Sequence, residues 1–417
     1  MNNYLCPAFL LIVIIVLDCA RRIRSKAVEI WSPLTFFSLY MVYYVVAPSF
    51  NSNINISSDA HFLVQLGGLL FYLSFLLSFK VSRCGNGFKR FNRCFSNPNE
   101  YRKLGYIYFF IAFLGYTLVK GFSLNAFAGT NVEYEEFDES SNINNASEYL
   151  SGLISLFCVS SALLYSYKRR FDCIQIALII IAVIIYLVVG SRFRLLAYFI
   201  VLATVLYLYP FHRKIKIWFL PLLLVAYLAM GVIEQARHYG TGIDINVAQN
   251  LMKEGNFDEI KSSENVSVYS FSGKVMETFE EKIYFEPIVC AILMPIPRSL
   301  FPWKPKGEYL LKAKMRIDGT LSYGSAFTAF TEAYIAFGWS GVILYGLIWG
   351  WLGKYFWQNY FMNRTTFASV LLLGLFNAVL YVGVSRGYMA QVLKISVFYI
   401  FIPFWIEMLL NKIKTRH

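Results

Sequence analysis

The stretch CIQIALIIIAVIIYLVVGSRFRLLAYFIVLATVLYL, residues 173–208, decides how the rest of the chain is read. Two almost unbroken apolar runs flank the polar sequence Gly190-Ser191-Arg192-Phe193-Arg194. A membrane-crossing helix needs about 20 apolar residues, at 1.5 Å each, to traverse roughly 30 Å of hydrocarbon. The runs 173–190 and 195–211 therefore read as two spans, with GSRFR as a tight outer turn between them. Runs of the same kind lie at 5–20, 30–48, 61–79, 104–124 and 149–167 before this pair, and at 217–236, 335–356, 365–384 and 391–410 after it. The chain is expected to be an all-α polytopic membrane protein of about eleven transmembrane helices. Its composition agrees: 57% of the 417 residues are hydrophobic and only 15% are charged. Mean hydropathy is +0.51. Globular chains are nearer half apolar and about a quarter charged, so a soluble enzyme, a nucleic-acid binder and a disordered chain all fit poorly. The first run does not read as a cleavable signal peptide, because no basic segment precedes it and Arg21-Arg22-Ile23-Arg24 follows it.

The loops divide by charge, and basic residues mark the cytoplasmic side. Alternate loops carry Arg21, Arg22, Arg24 and Lys26; Lys80, Arg83, Lys89, Arg90, Arg93, Arg102 and Lys103; and Lys168, Arg169 and Arg170. The same side continues with Arg213, Lys214 and Lys216, then Lys354 and Arg364, then Lys412, Lys414 and Arg416. The opposite loop 49–60 has no Lys or Arg, and 125–148 carries Glu133, Glu135, Glu136, Asp138, Glu139 and Glu148 with no basic residue. The expected topology places the N-terminus outside and the C-terminus in the cytoplasm. This distribution also accounts for the net charge of +13 without a nucleic-acid partner.

Three parts follow along the chain: 1–236 with eight spans, 237–334 as one long outer loop, and 335–417 with three spans and a cytoplasmic tail. Long loops inside a compact fold are usually functional. Residues 283–301 of the loop are apolar but interrupted by Pro287, Pro295 and Pro297. Proline disrupts helix, so this reads as an interfacial or re-entrant segment packed on the bundle rather than a span. In the ninth run, Gly346 and Gly350 form a GxxxG pair, which favours close helix packing. Asn55, Asn145 and Asn265 match the N-glycosylation pattern, which alone is a weak signal.

The seven cysteines are scattered, with no CxxC and no Cys/His cluster, so neither a zinc site nor a disulfide framework is expected. There is no Asp-rich metal motif, Walker loop or dinucleotide fingerprint. No metal and no cofactor are expected.

Charge at membrane depth is costly and marks candidate function. At the outer end the sequence places Arg192 and Arg194 in GSRFR, Arg298 after Pro295-Ile296-Pro297, and Lys304 between Pro302 and Pro305. Arg386 caps the tenth run and Lys394 lies one turn into the eleventh. Forked guanidinium donors match phosphate oxygens and lysine adds a point charge, so together these residues would suit a pyrophosphate headgroup. Taken singly, each is better explained by snorkelling or by contact with anionic lipid, but the pair in GSRFR resists that reading because basic residues are disfavoured in short outer loops. Acid–base candidates are Glu332 at the start of the ninth run, Glu286 in the apolar part of the loop, and His238. Glu234 and His238 would share one helix face if the eighth helix continues. Desolvation at Glu286 would suit proton transfer. The plain alternative for each is a satisfied structural polar group.

The segments GSRFR at 190–194, PRSLFPWKP at 297–305 and TEAYIAFGWSG at 331–341 occur in an order that resembles the bacterial oligosaccharide repeat-unit polymerases, the Wzy-type O-antigen polymerases. The many-span layout with a large late outer loop extends the likeness over nearly the whole length. The resemblance implies an inner-membrane glycosyltransferase with a large periplasmic loop, acting on the periplasmic face. It would move a growing glycan from one undecaprenyl pyrophosphate onto another lipid-linked repeat unit. Arg192, Arg194, Arg298, Lys304 and Arg386 would then hold the donor pyrophosphate, and Glu332, Glu286 or His238 would supply the base. Implied partners are lipid-linked donor and acceptor glycans, the bilayer and a chain-length regulator protein. Two other readings stay open: an O-antigen ligase, which shares the donor, and a transporter or flippase for lipid-linked sugars.

Overall fold

A computed structural model describes residues 6–25, 27–51, 54, 56–82, 91–120, 150, 152–168, 172–188, 192–209, 237–238, 242–243, 264–279, 282–293, 301, 303, 326–385 and 387–414. Among these the fold is all-α, apart from a two-residue antiparallel pairing of β1 (Arg237–His238) with β2 (Gly242–Ile243). The helices are α1 (Cys6–Ser25), α2 (Pro33–Met41), α3 (Ser58–Val81), α4 (Tyr101–Lys120), α5 (Leu156–Lys168), α6 (Cys173–Val188) and α7 (Arg192–Leu208). They continue as α8 (Glu264–Thr278), α9 (Glu286–Leu293), α10 (Ala329–Met362), α11 (Phe367–Ser385), α12 (Met389–Ser396) and α13 (Ile402–Lys414).

A helix stands over every apolar run read from the sequence except 217–236, which lies outside the described residues. Among the described residues four stretches are long and apolar enough to cross a membrane: Ser58–Val81, Ala329–Met362, Phe367–Ser385 and Met389–Leu409. Two expectations change. Helix α1 runs on to Ser25, so Arg21, Arg22 and Arg24 lie on its last turns rather than in a loop. Among the described residues of 237–334 stand α8, α9 and the first turns of α10; the polar composition of α8 (ENVSVYSFSGKVMET) hid it from a search for apolar runs.

The chain gathers into two compact units that interleave along the sequence. One comprises 1–88, 264–362 and 379–396, the other 89–263, 363–378 and 397–417. Helices bury their apolar faces against whichever elements cover them, however remote in sequence.

In the first unit, α3 and α10 make the most extensive helix contact. A Cβ on Gly346 would come within 2.7 Å of the Phe71 carbonyl oxygen and of Ser74 Cβ, and one on Gly350 would overlap the Phe75 carbonyl. The GxxxG pair therefore sets main chain against main chain, as its small size allows. Phe37 of α2 stacks on Phe75 with ring centroids 3.9 Å apart. Where α1 ends, the buried Arg22 pairs through Nε with Asp18 Oδ2 at 2.7 Å, and its Nη1 donates to the hydroxyls of Thr35 (2.5 Å) and Ser32 (3.2 Å) on and before α2. Lys80 of α3 reaches the same carboxylate at 2.8 Å. Helix α8 packs on α3, with the Tyr269 hydroxyl 3.2 Å from His61 Nδ1.

In the second unit, tyrosine hydroxyls tie helices to main chain. Tyr108 donates to the Pro403 carbonyl at 2.7 Å, Tyr101 to Phe95 at 2.6 Å and Tyr186 to Ile154 at 2.9 Å. Helices α4 and α5 meet at Gly105, whose carbonyl accepts from Ser160 Oγ at 2.7 Å. Each bond satisfies a buried hydroxyl that would otherwise be costly in an apolar interior.

Candidate functional site

Helix α10 is interrupted at Gly338, where φ is 66° and ψ is −151°. That region of backbone space is essentially reserved for glycine. The expected ninth span, 335–356, is therefore broken near its start: 329–337 forms a short helix of its own, and 339–362 is the longer piece. A break leaves the carbonyls of the preceding turn without helical donors. The chain just ahead of α9 supplies them. Lys282 Nζ donates to the Tyr334 carbonyl at 3.4 Å, the Ile283 N–H to Ile335 at 3.1 Å, and the Tyr284 N–H to Ala336 at 3.2 Å. The Lys282 ammonium also lies 4.7 Å from the Tyr334 ring centroid, and a cation at a helix C-terminus opposes the negative end of its dipole. Tyr284 itself has φ 43°, an uncommon conformation for a residue with a side chain.

At the other end of the short helix, Thr328 is fixed to α8, its N–H donating to Ser272 Oγ at 3.0 Å. The Phe327 carbonyl accepts from the Gly387 N–H. Glu332, in the first turn of α10, is only 1% exposed, and its two carboxylate oxygens each lie 3.1 Å from the Met389 N–H. Met389 opens α12. Glu332 thus begins one helix and caps another, satisfying an orphan donor and placing negative charge at the positive end of a dipole. The Tyr345 hydroxyl, 3.0 Å from Met389 Sδ, closes the junction.

The two carboxylates exchange the environments expected from sequence. Glu286 is half-buried at the first position of α9 rather than desolvated, because the buried face of that helix is Pro287, Cys290 and Ala291. The desolvated carboxylate is Glu332.

Arg192 and Arg194 do not form the turn between spans; α7 starts at Arg192, so both occupy its first turn. Arg194 is half-buried and within electrostatic reach of Tyr399 in the same unit. His238 lies in an extended pair with Gly242, so the helix does not continue through it. Gly240 and Gly242, close by, disfavour helix. Glu234, Arg298, Lys304 and Arg386 lie outside the described residues. The structure brings Glu332 together with the start of α12 and places Glu286 next to the clasp on the short helix; Arg192, Arg194 and His238 belong to the other unit. Asn265 is buried with its amide donating to the Tyr43 carbonyl at 3.1 Å, which removes it as a glycan acceptor in this fold. Among the described residues no group of three or more His, Cys, Asp or Glu is arranged to hold a metal.

Sequence reading passed over Lys282, Tyr284 and Met389. The spacing Gly338-Trp339-Ser340-Gly341 was the one available signal of a helix break. Comparison with family models, curated proteins and solved structures returned no match to this chain. The chemistry available at the described residues is that of a buried, amide-held carboxylate, a more accessible one at Glu286, and arginines at a helix start.

Proposed function

We propose that the chain is a glycosyltransferase that polymerises undecaprenyl-pyrophosphate-linked oligosaccharide repeat units on the periplasmic face of the bacterial inner membrane. The eleven-span arrangement, with a periplasmic N-terminus, a cytoplasmic C-terminus and a periplasmic loop over 237–334, belongs to this reading. So do the lipid-linked donor and acceptor and a chain-length regulator as partners. The reading rests on the three ordered segments that resemble such polymerases, and one structural observation carries it furthest. Arg192 and Arg194 stand in the first turn of an apolar helix, where the dipole already favours an anion and disfavours cations. Arginines there are stabilised by a bound anion, and a helix start with guanidinium groups suits a phosphate.

In this mechanism an acceptor sugar hydroxyl attacks the anomeric carbon of the donor glycan. The bond from that carbon to the pyrophosphate oxygen breaks, and undecaprenyl pyrophosphate departs with the electron pair. Arg192 and Arg194, with Arg298, Lys304 and Arg386, neutralise the charge that develops on it. A base removes the hydroxyl proton. Glu286 is the candidate favoured by its partial exposure, His238 is the second, and Glu332 acts by holding the start of α12.

The test is the glycan ladder from a deletion strain complemented with wild type, Arg192→Ala, Arg298→Ala or Glu286→Gln at matched membrane levels. The expected result is lipid A core capped by a single repeat unit in the deletion, with the ladder restored by wild type and by none of the variants. Loss of every repeat from the core, with lipid-linked polymer accumulating, would replace this reading by a ligase. Repeat units trapped on the cytoplasmic leaflet would replace it by a flippase.

A further inference from the structure

Helix α9 is apolar on two faces. Pro287, Cys290 and Ala291 are buried, the latter two in a core shared with Phe271, Phe327 and Ala390. The opposite stripe is formed by Val289 and Ile292 together with Phe285, which immediately precedes the helix, at one-face spacing, and Phe285, Val289 and Ile292 are 64%, 38% and 62% exposed. Tyr284, 58% exposed, extends the patch. A contiguous exposed apolar surface of this kind marks an interaction site.

Three observations choose its occupant. The first is continuity. The rings of Phe285 and Tyr284 lie 5.0 and 6.3 Å from that of Phe337, on the last residue before the break in α10. Beyond the break, α10 exposes Leu344, Ile348 and Trp351 along one stripe, on a helix long and apolar enough to cross a membrane. The patch thus stands where a bilayer-facing surface begins. The second is composition. Aromatic rings at the end of a spanning helix occupy the headgroup level, and the exposed Lys282 beside them suits a lipid phosphate. The third is length. At 1.5 Å per residue α9 is far too short to cross, and its two-faced apolar character suits a helix lying along the interface. The clasp from Lys282, Ile283 and Tyr284 to the short helix holds the patch rigidly in place.

We propose that residues 282–293 form an interfacial anchor seated in the headgroup layer of the bilayer, with Phe285, Val289 and Ile292 directed to the acyl boundary and Lys282 to lipid phosphate. This rests only on the chain lying in a membrane, and holds whatever reaction it performs.

The test uses the full chain, its seven native cysteines replaced, in vesicles of phosphatidylethanolamine and phosphatidylglycerol. An environment-sensitive fluorophore on Ile292→Cys is expected to be quenched roughly twofold more by lipids spin-labelled near the carbonyl end of the acyl chain than by lipids labelled at the tail, matching shallow burial. Aqueous iodide should leave it unquenched. Quenching by iodide alone would overturn the proposal in favour of a water-exposed face. Protection from both quenchers would overturn it in favour of a second protein chain. Should the cysteine-free chain fail to fold, benzoylphenylalanine replacing Phe285 in the native chain decides the matter. A phospholipid adduct after irradiation is expected; a covalent dimer, or no lipid adduct, sinks the idea.

Discussion

The Arg22 network and the Glu332 junction, both in the first unit, each bury a carboxylate, and they stabilise it by different means. Asp18 faces two side-chain cations, Arg22 at 2.7 Å and Lys80 at 2.8 Å. Glu332 faces a main-chain amide at the start of α12. The first arrangement neutralises charge with charge and ties three helices together. The second spends its carboxylate on geometry, fixing where α12 begins relative to α10. A buried ion pair is vulnerable to loss of either partner, whereas a backbone donor persists through almost any substitution at its position.

The largest expected break in this comparison is Arg22→Met. It leaves Asp18 buried against Lys80 alone and is expected to cost about 3–5 kcal/mol, read as a fall in the thermal unfolding midpoint in detergent. If Arg22→Met and the double variant Asp18→Asn/Arg22→Met unfold together, the network is not what holds this end. A middle-sized effect is expected at Glu332. Glu332→Ala strands the Met389 amide and should cost about 1–3 kcal/mol, while Glu332→Gln keeps an oxygen acceptor and should recover much of that. Polymer formation that survives Glu332→Gln and is impaired by Glu332→Ala would match a positioning role; equal loss in both would point to the carboxylate itself as the reacting group.

The smallest effect belongs to a half-exposed carboxylate. Asp172 precedes α6, where it accepts from Lys168 Nζ at 2.7 Å and from the Gln175 N–H at 2.8 Å. The Lys168 hydrogen bond, and then the Gln175 amide, hold its carboxyl below its ordinary value. A carboxyl lowered in the folded state stabilises above its unfolded pKa and loses that contribution as pH falls through the folded one. The midpoint difference between wild type and Asp172→Asn should therefore be small and constant near neutrality. It should vanish once the pH drops below the usual carboxylate range, as a pH series of thermal melts would reveal.

Much of the fold was legible in the sequence because bilayer-length apolar runs leave few alternatives. The GxxxG pair at Gly346 and Gly350 also read correctly, since its meaning is local: no Cβ, close approach. What escaped was non-local. Arg22 looks like any basic residue after a span, and only the arrival of α2 and α3 turns it into the centre of a network. Helix α8 lacks the apolar run that betrays a span. Glu332 stands at the start of an apolar run and so reads as a helix-start carboxylate, but the second helix it caps begins far along the chain. Glu286 sat in an apolar stretch and so suggested desolvation, yet which face of α9 is buried depends on α12. The three residues of the clasp carry no motif, because their donors are mostly main chain.

The clasp and the cap also set an order on synthesis. Lys282 precedes its acceptor at Tyr334 by 52 residues, and Glu332 precedes Met389 by 57. As the chain emerges, the clasp can close only after residue 336 has been made, and the cap only after α11 and the first residue of α12. This corner is therefore assembled in two successive stages, and a nascent chain halted between them already has its apolar α9 stripe but not the helix start that Glu332 secures.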